Sequence, residues 1–256
     1  MGYLDEFPLL LVFGASFVAV LFASEIGRWL GALARGRGEE GVASLEGAMF
    51  GLLALMLGFT FAMALSRFEE RRHAVLDEAN ASSTTELNAR LLPSPHNTEA
   101  LKLLHEYAQL RFTVSQHVST LKEIDMTVSR SNELQEQLWQ NALVGVPKAD
   151  ASVPAWLVFE SLNRMFDAQR KRVAMLGNQV PNEVLLVLYC ITALAIAFAG
   201  CAQGLRKQPS RIPVYLMGFL ACTVIILIED IETPYTGFIS VSEQPLIDAS
   251  ARLDDH

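Results

Sequence analysis

The chain has 256 residues, 51% of them hydrophobic and 19% charged, with a formal net charge of −8 and a mean hydropathy of +0.28. That balance is too apolar for an ordinary water-soluble domain and too charged for a chain wholly buried in lipid, so it describes a membrane protein with a sizeable polar domain. No Lys/Arg cluster is present that could neutralise a row of phosphates, which excludes nucleic acid as a partner.

The first apolar stretch, Phe7 to Ser24, continues as helix through EIGRWLGAL to Leu33. It is long enough to cross the roughly 30 Å hydrocarbon layer, and its lack of an early basic region or a clear cleavage site predicts a retained membrane helix, not a signal peptide. Ala15, Ala19, Ala23, Gly27 and Gly31 repeat every four residues. Such a stripe predicts close helix contact, with the small face of the second membrane helix as the expected partner. The competing reading is that alanine and glycine are simply common in membrane helices.

The connection ARGRGEEGVAS reads as a surface loop, with Ser44 capping the second helix and Glu46 near the positive end of its dipole. Glu46 is also a candidate for a pore mouth. From Ser44 to Arg72 the chain reads SLEGAMFGLLALMLGFTFAMALSRFEERR, a second span in which Gly47, Gly51, Ala54, Gly58 and Ala62 form a small face. No breaker follows until Pro93, so the helix is expected to run unbroken through Leu92.

A further helix is expected from Thr98 to Leu143, with Leu110, Val114, Val118 and Leu121 as its apolar stripe and Leu134 and Leu138 resuming it. After the loop VGVPKADASVP, Ala155 to Gln179 reads as another helix, with Trp156, Phe159, Leu162 and Phe166 on one face. With the extension of the second span, these make a three-helix polar bundle. Pro181 opens a third membrane helix and Pro213 a fourth, which ends at Glu229, Asp230 and Glu232. The tail is polar, with a brief extended patch at Phe238 to Val241.

The predicted fold class is therefore an all-α membrane protein: four transmembrane helices with a helical soluble bundle inserted between the second and third. Its expected parts are 1–66, 67–180, 181–230 and 231–256. Arg28, Arg35, Arg37, Arg206, Lys207 and Arg211 lie in or beside the two short loops. The positive-inside rule then puts those loops in the cytoplasm, and the bundle and both termini outside. Arg67, Arg71, Arg72, Arg170, Lys171 and Arg172 flank the bundle and pull the other way.

The chemistry on offer is sparse. Five histidines show no metal-ligand spacing, no serine sits in a nucleophile elbow and no phosphate-binding glycine loop occurs, so neither an enzyme nor a cofactor is expected. Cys190, Cys201 and Cys222 lie in apolar stretches without CxxC spacing and read as small buried packing residues. Glu229, Asp230 and Glu232 are acidic ion-site candidates, since clustered carboxylates suit hard cations; the alternative is a solvated, interface-level helix end. Phe59, Phe61 and Met63 are candidates for an apolar constriction if the second helix lines a pore, against ordinary lipid or core packing. Arg67, Glu70 and Arg71 read as an interfacial ion-pair network, and Glu78 and Asn80 as hydrogen-bonding partners of the neighbouring bundle helices.

Three runs, LLALMLGFTFAMALSRFEERRHAVLDEANA, LLPSPHNTEALKLLHEYAQLR and IILIEDIETPYTGFISVSEQPL, resemble the bestrophin-like family of bacterial membrane proteins, named for a domain of unknown function. The resemblance covers nearly the whole chain. It is carried most specifically by Glu78, Ala79 and Asn80 and by Asp230, Glu232, Pro234 and Gly237. Where the family often shows Asp-x-Asp-Arg-Pro, this chain has Glu232 and Thr233. A weaker resemblance links it to true bestrophins, pentameric anion channels whose second helix lines the pore and whose helical domain is cytosolic. What the resemblance implies is a multi-pass protein of the bacterial inner membrane that self-associates, sits in the lipid bilayer and passes inorganic ions. The alternative is a membrane-anchored sensor or scaffold whose helical domain binds a ligand or partner.

Overall fold

The computed structural model describes residues 9–34, 39–117, 121–148, 155–176, 180–205 and 210–233, with isolated positions of the tail. They form α1 Leu9–Leu33, α2 Glu39–Ala89, α3 His96–His117, α4 Leu121–Gly145, α5 Ala155–Leu176, α6 Asn182–Leu205 and α7 Ile212–Glu232. A 3-10 turn at Val146–Lys148 follows α4, and the described residues hold no strand. Four helices, α1, α2, α6 and α7, contain stretches long and apolar enough to cross a membrane. By packing, the chain forms two units: Met1–Arg67 with Gln179–Ile239, and Phe68–Asn178 with Ser240–His256.

In the first unit the glycines dictate which helices meet. A Cβ at Gly27 or Gly31 of α1 would land on the backbone carbonyls of Ala197 and Cys201 in α6. Reciprocally, a Cβ at Gly200 or Gly204 of α6 would land on the carbonyls of Ser24 and Arg28. The partner of the α1 stripe is therefore α6, not the second membrane helix as the sequence predicts. The reason is complementarity: α6 has glycines at the same four-residue spacing, so two notched backbones interlock. On α2, by contrast, nothing lies within 4 Å of a Cβ built at Gly47, Gly51 or Gly58. Leu53, Thr60 and Ala64 are the buried residues of that stretch. At about 100° per residue, the glycines fall on the opposite side.

Apolar packing completes this unit. Val20, Ile196, Ala199, Val214 and Cys222 form one cluster, and Leu53, Ala195 and Ala221 another. Phe13 and Phe17 both meet the Phe219 ring edge-on, with centroids 5.7 and 5.8 Å apart, the arrangement that ring quadrupoles favour. Of the three cysteines only Cys222 is buried; Cys201 is half-buried and Cys190 is exposed on the chain. The expectation of three buried cysteines thus fails at Cys190, which lies on an outward face of α6.

The second unit departs from the sequence reading in its helix count. The helix expected over Thr98 to Leu143 is two helices, α3 and α4. His96, at the start of α3, pairs with the Asn141 side chain near the end of α4 at 2.8 Å, while the Asn141 amide donates to the His96 carbonyl at 2.7 Å, so the two run antiparallel. The described part of α3 ends at His117 and that of α4 begins at Leu121, beside the run FTVSQHVST, whose β-branched residues and serines lower helix propensity. With the polar part of α2 and with α5 this gives four helices, not three, around Leu104, Tyr107, Leu134, Leu138, Leu162 and Met165. Trp139 caps that core against Phe159, with ring centroids 5.0 Å apart.

The ends of α2 differ from expectation as well. It begins at Glu39, so Ser44 and Glu46 stand inside the helix and Ser44 caps nothing; no proline separates Glu39 from Ser44 to delay the start. It ends at Ala89, and Leu91 and Leu92 donate to the Asn88 and Ala89 carbonyls in a tightened turn before Pro93. The residue before a proline disfavours the α conformation, which pulls the helix end back. Pro234, Gly237 and, of the Phe238 to Val241 patch, Phe238 and Ser240 lie outside the described residues.

The interlock is testable. Gly200→Ala is expected to lower the unfolding midpoint in detergent, with a loss of about 1–3 kcal/mol for an overpacked contact. Gly14→Ala on α1 should leave it unchanged or raised by up to about 1 kcal/mol, because alanine is the better helix former and its methyl meets nothing. Equal losses at both positions would contradict the α1–α6 assignment.

Candidate functional site

On α2 the residues proposed for a constriction do not share a face. Phe59 and Met63 are four apart and neighbours on the helix surface, with Phe59 63% exposed. Phe61 lies about 200° round from each and is half-buried. The structure therefore brings Phe59 and Met63 together and leaves Phe61 on the other flank. Glu46 is half-buried near the opposite end of the apolar stretch. Thr60, the buried polar residue between them, donates its hydroxyl to the Met56 carbonyl at 2.8 Å, which leaves the apolar wall intact.

The acidic end of α7 is buried, not solvated: Glu229, Asp230 and Glu232 are each less than 10% exposed, at 7%, 4% and 6%. Each carboxylate binds a different element. Glu229 accepts the Tyr189 hydroxyl of α6 at 2.9 Å, Asp230 accepts the Ile239 N–H at 3.0 Å, and Glu232 accepts the Val180 N–H at 2.9 Å. The solvated-end reading fails because these donors pull the carboxylates inward, where burial without partners would be costly. Glu232 also faces Arg67 of α2, with Arg67 Nη1 3.9 Å from its Oε2. The sequence assigns Arg67 to Glu70, three residues away; the structure assigns it to α7. Among the described residues no group of three His, Cys, Asp or Glu is placed to hold a metal ion.

The second unit holds a carboxylate clamp. Glu78 on α2 has no exposure. Its Oε1 accepts the Tyr107 hydroxyl and Arg111 Nε, each at 2.7 Å, and its Oε2 accepts Arg172 Nη1 at 2.8 Å. Tyr107 and Arg111 stand one turn apart on α3, and Arg172 comes from α5. Burial would raise the Glu78 carboxyl above its ordinary 4.5, but the Arg111 and Arg172 charges outweigh it and hold the group down to about 2. Burial, followed by the Glu78 charge, pushes the Tyr107 phenol well above its usual value, so it remains a donor. The predicted role of Glu78 lacks its partners in the sequence reading. The i,i+4 spacing of Tyr107 and Arg111 is the signal that points to them.

Asn80, two residues on, is exposed, and its carbonyl accepts the Thr84 hydroxyl at 2.9 Å. It lines an open groove of about 410 Å³ between α2 and α5, with Asp77, Thr84, Arg164, Asp167 and Lys171. Lys171 and Asp77 form an ion pair across this groove at 2.8 Å. Of the basic run that the sequence sets beside the membrane, Arg172 is buried on Glu78, while Arg170 and Lys171 pair with Asp167 and Asp77.

Four apolar spans, an interlocked α1–α6 pair and a polar helical unit define a multi-pass helical membrane protein. Its sequence matches the Bestrophin-like domain over residues 12–246, and the chain belongs to the bestrophin-like family. Its fold is that of a bacterial bestrophin homologue from Klebsiella pneumoniae, at a TM-score of 0.70 and 15% identity, covering 97% of this chain and 98% of that one. The structure of a membrane protein carrying the substitution G264A gives a TM-score of 0.69 at 13% identity, covering 93% of this chain and 97% of the other. No curated protein matches the chain in sequence.

The clamp sets a pH dependence. Because the folded carboxyl lies below its unfolded value of 4.5, its stabilisation is full above that pH and is lost as pH falls toward about 2. The difference corresponds to on the order of 3 kcal/mol. Glu78→Gln should therefore destabilise the protein by about 3–5 kcal/mol at pH 7, because two guanidiniums stay buried without their anion. The variant's unfolding midpoint should also fall less steeply than the wild type between pH 5 and 3, as thermal scans in detergent would show.

Proposed function

We propose that the chain is one subunit of a homo-oligomeric ion channel of the bacterial inner membrane, with α2 bordering the pore. One observation carries this reading: α2 buries Leu53, Thr60 and Ala64, yet leaves Phe59 exposed and Gly47, Gly51 and Gly58 facing open space. A helix with one packed face and one small, unfilled face is suited to close approach by a second copy of itself. In such an assembly Phe59 and Met63 border the axis, and an apolar ring of that kind gates by dewetting. Family membership supports the reading. The permeant species is an inorganic ion, and α2 presents no ionised side chain between Gly47 and Leu65 that a proton-coupled pump would use.

Planar-bilayer recording of the purified protein tests it. Phe59→Ala and Met63→Ala should raise open probability or unitary conductance at least about twofold, with Phe61→Ala closer to wild type. Silence of the wild type across a wide range of voltages and ions would overturn the channel reading.

The charge distribution favours the polar unit and both termini on the extracytoplasmic side. A cysteine placed at exposed Glu160 should then label with an impermeant maleimide once the outer membrane is permeabilised. Labelling only after the inner membrane is broken would reverse the topology.

The second reading is a sensor or scaffold, and the groove lined by Asp77, Asn80, Arg164 and Lys171 is what favours it. Its opposed charges suit a polar ligand or a partner's charged surface. Affinity capture of the intact complex separates the two: one stoichiometric partner supports the scaffold, and self-copies alone support the channel.

A further inference from the structure

Arg67 stands one turn beyond Met63 on α2, and its two terminal nitrogens face different partners. Nη2 donates to the Met63 thioether at 3.8 Å. Nη1 lies 3.9 Å from Glu232 Oε2 and is buried without a hydrogen bond. That separation is beyond hydrogen-bond length but within Coulombic reach, so the pair attracts without locking. The same Glu232 oxygen accepts the Val180 N–H at 2.9 Å, two residues before α6 begins. A single carboxylate on the last residue of α7 therefore connects the entry of α6 to the guanidinium of α2. An arginine at this depth usually extends its head to water. This one is only 18% exposed, and its head is held between a thioether and a carboxylate.

We propose that Arg67 is a positioning residue for Met63, through which a displacement of the α7 acidic end is passed to the α2 side chain one turn above. A shift of about 1 Å converts the loose Arg67–Glu232 contact into a charge-assisted hydrogen bond and draws the guanidinium off the thioether. Retreat of Glu232 releases it toward Met63. The consequence for ion flow rests on the channel reading; the coupling of Glu232, Arg67 and Met63 does not.

The test uses the full chain in detergent micelles with [methyl-13C]methionine, the Met63 methyl resonance being identified by its loss in Met63→Leu. With Arg67 in contact with both Glu232 and Met63, Glu232→Gln should move the Met63 resonance by more than a linewidth when Arg67 is present. In an Arg67→Gln background the same change should leave it in place. Glu232→Asp, which keeps the charge and shortens the reach, should give a smaller shift and serves where Glu232→Gln does not fold. No shift in the Arg67 background, or equal shifts in both backgrounds, would overturn the proposal. In parallel bilayer recordings, Arg67→Gln and Glu232→Gln should change unitary conductance in the same direction. A silent wild type together with a coupled Met63 resonance overturns the channel reading alone.

Discussion

The polar unit depends on one buried carboxylate. Glu78 takes bonds from two residues of α3 and one of α5, three at 2.7–2.8 Å and a second one from Arg111 at 3.3 Å, from a position with no access to solvent. Burying such a group with two arginines is expensive, and an apolar plug of the same volume would often be as stable. What the charges add is direction. Tyr107 and Arg111 are one turn apart, so only one register of α3 satisfies both, and Arg172 fixes the rotation of α5 in the same way. Around the clamp, the Thr85 hydroxyl reaches the Ser161 carbonyl at 3.0 Å and the Asn88 amide reaches the Leu157 carbonyl at 3.3 Å, so the α2–α5 seam is set by polar bonds at successive turns.

The same helix meets a different problem in its apolar stretch. There, hydrogen-bonding side chains are nearly absent, and contact is decided by volume. α1 and α6 solve it by removing side chains from both surfaces, which lets the backbones touch at Gly27, Gly31, Gly200 and Gly204. The glycines of α2 look alike in sequence but meet no backbone. Glycine spacing thus marks a surface fit for close approach without naming what approaches.

That distinction explains which features are legible in the sequence. The four spans are legible because length and apolarity alone decide them, and their boundaries fall within a few residues of the observed helices. The α1–α6 pairing is not, since three helices carry small-residue stripes and periodicity cannot rank them. The α3–α4 break is faint because apolar spacing continues through it, and only the β-branched run marks it. Burial of Glu229, Asp230 and Glu232 is invisible for another reason. An acidic helix end reads as solvated until its donors are known, and the donors Tyr189 and Val180 lie 40 and 52 residues away. The clamp is likewise divided between residues 33 and 94 positions apart from Glu78.

The chain therefore uses arginine–carboxylate contacts at two tensions. Around Glu78 the geometry is closed: short bonds, complete burial and three donor residues make displacement of the carboxylate costly. At Glu232 the contact is open: the nitrogen and oxygen are 3.9 Å apart, and the guanidinium has a second place to rest on a thioether, a weak acceptor that is cheaply abandoned. A tight buried pair stores specificity; a loose one stores freedom to move between neighbouring minima. Only the second kind suits a side chain that must respond to its surroundings, and it is found on α2 one turn from Met63.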